Sequence, residues 1–248
     1  MIQIERVISK LDEYYAKNDL PGGERHLDYW LAEAEMTGDV RGQIAVLSEQ
    51  AGLCRMLGKG EKALRCADKV LTLLKESGLE DNVSGATVMV NCATVFAAFG
   101  KAEKSVGIFE KAGKVYQANL AENNELFGSL YNNYAAGLKD LGRFDEALAM
   151  YEKALTVMGK AKDGQCEQAV TYLNMAGVVQ EKDGLWDGSE EIEKYLRKAE
   201  DLLNDPSLGR DVHYAITCSK CVSVFRYYGY FACADELEKR AKDIYAGN

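Results

Sequence analysis

A chain of 248 residues has room for one large domain or two small ones. Its 47% hydrophobic and 28% charged residues exclude a disordered chain, and no apolar run approaches the roughly 20 residues that cross a bilayer, so no membrane partner is expected. A net charge of −9 excludes a general nucleic-acid binder, which needs a basic face to displace counterions from phosphates.

The elements expected along the chain are all helical, come in pairs and include no strand. Only Pro21 and Pro206 interrupt the sequence, both where loops are expected, so long helices are permitted. The opening pair, residues 2–37, has the least regular pattern. Its carboxylates stand where a signal peptide would be apolar, which points to a cytoplasmic protein. Residues 40–78 follow with Leu47, Ala51, Gly58, Ala63 and Leu71, and residues 82–120 with Ala93, Phe96, Gly100, Phe109 and Ala112. In residues 124–162, Leu130, Tyr131, Tyr134, Ala135 and Leu138 precede Gly142, and Phe144, Ala147, Tyr151, Ala154 and Leu155 follow it. These apolar positions recur at three and four, as on one face of a helix. Residues 165–204 contain Gly184 and Ala199. Residues 209–246 contain Gly229, Phe231, Ala234 and Ala241, with no further helix expected to cover the last pair.

One period governs these elements. Gly58, Gly100 and Gly142 lie 42 residues apart, and the next step reaches Gly184. Ala63, Ser105 and Ala147 keep the same spacing, as do Ala112 and Ala154. Ala199 follows after 45, with the extra residues assigned to a longer turn around 185–189, and Ala241 after 42. Glycine suits a tight helix–helix turn because it adopts left-handed backbone angles at little cost. Small residues let two helices approach, and aromatic residues fill the remaining space. One hairpin cannot bury both apolar faces, so neighbours must stack.

The run Tyr131, Tyr134, Ala135, Leu138, Gly142, Phe144, Ala147, Tyr151, Ala154 and Leu155 resembles a tetratricopeptide repeat at nearly every signature position. The other units resemble it to a lesser degree, residues 1–38 least. The 42-residue length is similar to that of the repeats in kinesin light chains and bacterial peptide-sensing regulators. The resemblance implies an all-α fold: a single right-handed superhelical solenoid of about six hairpins over residues 1–248, binding protein or extended peptide.

Residues that could carry chemistry are scarce. His26 and His213 stand in different units without the partners a nucleophile–base pair or metal centre requires, and are expected to be structural. Seven cysteines form no disulfide-like framework and fit a reducing compartment. Cys218 and Cys221 have the spacing of a redox pair or half a zinc site, but no second ligand pair accompanies them, so packing is expected. No enzyme, metal or cofactor is expected.

One recurrence remains. Asn91-Cys92-Ala93, Asn133-Tyr134-Ala135 and Asn174-Met175-Ala176 repeat an Asn-x-Ala triplet at spacings of 42 and 41. Two residues turn a helix by about 200°, so each Asn points away from its packing alanine, towards the concave surface of a solenoid. Two roles fit: holding a peptide main chain through the side-chain amide, or bonding to adjacent helices and ordering the stack. The family resemblance implies the first for Asn91, Asn133 and Asn174, with Asn132 beside them. Glu49 and Lys220 are the corresponding residues in flanking units. One turn along the same faces lie Arg55, Lys139, Gln180, Glu181, Arg226 and Tyr227 as further groove candidates. The reading is a peptide-binding adaptor; the alternative is a structural subunit that self-associates, as in a homodimer, through exposed ends near residues 225–231.

Overall fold

The computed structural model describes residues 1–161 and 164–247, and every regular element in them is a helix. In chain order these are α1 (Ile4–Ala16), α2 (Leu20–Met36), α3 (Val40–Met56), α4 (Gly60–Glu76), α5 (Val83–Ala98) and α6 (Ala102–Asn119). The second half has α7 (Leu126–Asp140), α8 (Phe144–Met158), α9 (Gln165–Asp187), α10 (Ser189–Asn204), α11 (Val212–Tyr227) and α12 (Phe231–Ala246). Residue 162, the expected end of the fourth unit, lies outside the described residues. The chain divides into two compact units, Met1–Leu120 and Ala121–Asn248.

The 42-residue period corresponds to a hydrogen-bonded closure. Gly58, Gly100 and Gly142 have φ of +68°, +69° and +70°. At Gly58, its N–H donates to the Arg55 carbonyl at 3.1 Å, and the next N–H, of Lys59, donates to the Cys54 carbonyl at 2.9 Å. That is the Schellman arrangement, which satisfies carbonyls a helix end would otherwise leave bare. The same pair of bonds forms at Gly100 and at Gly142. A Cβ at these glycines would meet nothing within 4 Å, so the backbone angle, not space, calls for glycine. In the first pair Asn18 takes the position with φ +53°, asparagine being one of the few residues with a side chain that visit this region readily.

Two details depart from the sequence reading. Pro21 lies in the first turn of α2 rather than in a loop, where proline lacks only a donor that has no helical partner anyway. Gly184 (φ +81°) ends the regular part of α9, and residues 185–187 resume helical form before α10. The extra residues after Ala154 thus form an added helical turn that leaves Trp186 91% exposed.

Small residues make close helix packing possible in each pair. Ala93, Ala135, Ala147, Ala154, Ala176 and Ala199 are all fully buried. Ser105 stands where its equivalents are alanines, and its buried hydroxyl donates to the Ala93 carbonyl at 2.9 Å, tying α6 to α5. Phe96, Phe109 and Tyr116 fill the first unit and Tyr151, Tyr214 and Phe225 the second, all shielded from solvent. Phe231, aligned with core positions of the repeat, is instead 63% exposed at the start of α12.

Asp39 holds the start of α3. Its carboxylate accepts from the Gly42 N–H at 3.0 Å and from the Ile2 N–H at 2.8 Å, pinning the N-terminal segment to the helix cap. Burial opposes its ionisation, but the two backbone donors and the N-terminal ammonium together hold its pKa below the ordinary carboxylate value. A depressed folded-state pKa means stability that is present above the unfolded-state pKa and lost as pH falls through the folded one. Asp39→Ala is therefore expected to cost about 1–2 kcal/mol at neutral pH, and less under acid, in urea unfolding at several pH values. An unchanged midpoint at neutral pH would rule out this role for the cap.

Candidate functional site

The three triplets place their asparagines as their register demands. On α5, α7 and α9 respectively, Ala93, Ala135 and Ala176 are completely buried. Two residues earlier, Asn91 and Asn174 are exposed and Asn133 is half-buried. The side-chain amides of Asn91 and Asn174 make no hydrogen bond among the described residues. Asn133 donates from Nδ2 to the Ser129 carbonyl of its own helix at 2.9 Å. Asn132, one residue away and turned by about 100°, behaves differently. Its Nδ2 donates to Thr171 Oγ1 at 2.9 Å, linking α7 to α9.

In the second unit, the first helices of the pairs bound two hollows that share Ala136 and Asn174. The larger, about 570 Å³, has Asn132, Asn133 and Asn174 on its walls and Val157, Met158 and Val170 as apolar surface. Glu125, Glu167 and His213 stand at its end. His213 Nε2 lies 3.0 Å from Glu167 Oε1. The second hollow, about 510 Å³, reaches Lys139, Asp140, Tyr227 and Tyr228. Lys139 pairs with Glu181 at 2.7 Å, and Gln180 donates to the Tyr227 hydroxyl at 2.6 Å, so α7, α9 and α11 are cross-linked along this face. Arg226 turns to its own pair, meeting Asp235 at 2.9 Å and Glu238 at 2.6 Å on α12. Lys220 is exposed on α11.

The first unit shares the register but not the chemistry. Glu49 on α3 is half-buried; burial first, and the neighbouring Asp12 carboxylate second, raise its pKa. Arg55 is exposed near the end of α3. A hollow of about 560 Å³ is lined by Arg41, Ile44, Leu79, Val83 and Val88, and none of Glu49, Arg55 and Asn91 borders it.

Arg41, Glu125 and Glu167 also line these hollows, although the sequence reading did not single them out, and His213, expected to be structural, stands beside Glu167. A signal was available: Arg41 and Glu125 lie eight residues before Glu49 and Asn133, Glu167 and His213 seven before Asn174 and Lys220. Seven to eight residues are two helical turns, which return to the same face.

The remaining candidates stand at helix contacts. His26 Nε2 lies 3.0 Å from the Val7 carbonyl, bridging α2 and α1. Cys218 and Cys221 are buried on α11, and burial raises both thiols, Cys221 to about 12. A thiol held protonated is a poor nucleophile, and no group of three or more potential metal ligands forms among the described residues. Replacing both by Ala is expected to cost about 1–3 kcal/mol through lost packing. Stoichiometric zinc in the purified protein that vanished in the double variant would overturn that assignment.

Residues 126–205, which contain α7 to α10, match the tetratricopeptide repeat family model. No curated protein sequence matches the chain. Several solved structures share its fold. A putative kinesin light chain repeat protein of Podosopora anserina is 14% identical with a TM-score of 0.58, covering 81% of this chain and 94% of that one. BtubC from P. vanneervenii is 19% identical with a TM-score of 0.54, covering 100% and 92%. NprR in complex with its cognate peptide NprX is 17% identical with a TM-score of 0.62, covering 97% and 66%. The apo form is from B. thuringiensis. At these identities the likeness is one of fold.

Proposed function

We propose that this chain of tetratricopeptide-like helix pairs is a non-catalytic scaffold that binds an extended polypeptide along the face of its first helices. The observation that carries the reading is the pair of exposed amides, Asn91 and Asn174, which have no partner although asparagine is a mediocre helix former. An amide with free donors and a free acceptor matches a peptide backbone. In the second unit such an amide borders a cleft with apolar surface beside it, the mixture that fixes a main chain while selecting side chains. Asn133 keeps its acceptor oxygen for a ligand. Asn132, bonded to Thr171, is assigned to bracing instead. The two roles left open by the sequence are thus divided between neighbouring residues.

Lys139 and Tyr227 set the far wall of the cleft in this reading, held by Glu181 and Gln180 of α9. Glu49, Arg55 and Lys220 act as selectivity residues, and Arg226 as a link within its own pair. The single repeat array over residues 1–248, cytoplasmic placement and absence of a cofactor belong to the same proposal. NprR, of like fold, is solved with a peptide bound, which supports a peptide ligand here by analogy only.

A second reading has its own observation. Phe231 and Tyr245 on α12 are large exposed apolar side chains, as an end that pairs with another copy would present. Photo-crosslinking from position 174 in the native host tests the first reading, the expected product being a covalent adduct with another polypeptide. Adducts only from position 231, with a second copy of this chain, would replace it by the self-associating subunit.

A further inference from the structure

The charge of the chain is unevenly divided. Residues 121–248 carry 22 Asp and Glu against 15 Lys and Arg, whereas residues 1–120 carry 17 against 15. Most of the excess acid therefore belongs to the second unit, and part of it faces the cleft. Glu125 occupies the N-cap position of α7 without a side-chain capping bond, Glu167 lies in the first turn of α9, and both border the hollow that contains Asn133 and Asn174. Glu125 is exposed and has no ion-pair partner among the described residues. Glu167 has one polar neighbour from another helix, His213. No Lys or Arg lines this hollow among its described residues. The register-equivalent hollow of the first unit has the opposite sign, with Arg41 on its rim.

We propose that the α7–α9–α11 cleft selects a peptide that seats a cationic group, a Lys or Arg side chain or an N-terminal ammonium, against Glu125 and Glu167. The proposal deepens the peptide-binding reading and rests on it. A cation brought there meets two carboxylates beside the low-polarity surface of Val157, Met158 and Val170, where attraction is less screened than on an open surface. An anionic group at the same place is repelled, so the site discriminates by sign as well as by fit. The two hollows together run from Glu125 to Asp140 of α7. At 1.5 Å per residue that is about 22 Å, which an extended peptide spans with about six or seven residues. The cation is thus fixed at one end of a short segment, with Tyr227 and Tyr228 at the other. Both carboxylates also stand at helix N-termini, where they favour the helix dipole without any ligand; the experiment separates that role from selection.

The test uses the purified full chain and two positional-scanning heptapeptide libraries, one with free amino termini and one N-acetylated. The expected result is enrichment of Lys or Arg at one position if a side chain is the cation, or loss of retention on acetylation if the ammonium is. In fluorescence polarisation, Glu125→Gln with Glu167→Gln should weaken the enriched peptide about tenfold. A neutral analogue with Met for the basic residue, or acetylated, should bind wild type and variant alike. Glu125→Lys with Glu167 intact should shift the preference towards acidic peptides, and circular dichroism checks that both variants fold. Retained peptides with no basic preference, or a double variant that binds the enriched peptide as wild type does, overturn the cationic selection and leave peptide binding standing. Retention of no peptide by the wild-type chain removes the peptide-binding reading, and the selection with it.

Discussion

Replacing Asn91, Asn133 and Asn174 together by Ala is expected to reduce capture of the native partner at least tenfold while leaving helical content unchanged. Each amide that holds a main-chain group contributes about 0.5–1.5 kcal/mol, and a ligand group left unpaired after burial adds to the loss. Two such bonds already reach about 1.4 kcal/mol, a factor of ten in affinity. Folding should hardly respond. Asn91 and Asn174 are exposed and unbonded, Asn133 bonds only within its own helix, and Ala is the better helix former. Asn132→Ala is the internal contrast: it cuts the α7–α9 bond to the buried Thr171, so it should lower the melting temperature more than it lowers capture. A triple variant with full partner binding and a lowered melting temperature would return the whole ladder to bracing.

Phe109→Ala should cost about 3–5 kcal/mol. The ring is fully buried on α6, and truncation removes both its transfer free energy and its packing contacts. The matched control is Phe231→Ala, where the ring is mostly in solvent and the change should stay within about 0.5 kcal/mol. Urea unfolding of the two variants decides it. Comparable losses at the two sites would mean that Phe231 is covered in solution, as the self-associating reading requires.

The contrast between these rings shows what could be read in the sequence. The period was legible because each closing turn needs a left-handed residue, and glycine marks that need without ambiguity. Alanine spacing was legible for a related reason, since only a small side chain fits where two helix backbones approach. Phe231 shares the register of core positions yet stands in solvent, because register alone cannot tell whether a neighbour arrives to cover a position. In the site, the outward direction of Asn91 and Asn174 followed from two residues of helix rotation. Asn132 was grouped with them by adjacency, but one residue turns it to the α7–α9 interface, where Thr171 meets it. The ion pairs of Lys139 and Arg226 join residues 42 and 9 to 12 positions apart, and nothing local to either residue announces which partner it takes. Glu125, Glu167 and His213 form one end of a cleft only because three helix starts assemble around it.

The open turns have a consequence for how such a chain can lengthen. Each hairpin supplies its own closing bonds, and beside Gly58, Gly100, Gly142 and Gly184 a side chain would meet only solvent. Duplicating one whole period in the gene would therefore deliver a hairpin with its closure already written into it. Smaller insertions are admissible at the turns alone, as the added turn after Gly184 illustrates. Within a helix, one inserted residue rotates everything beyond it by about 100° and carries the alanines out of the packed face. Growth by duplication and tinkering at the bends are the changes this fold tolerates, and both leave the outward-facing side chains of the existing helices in register.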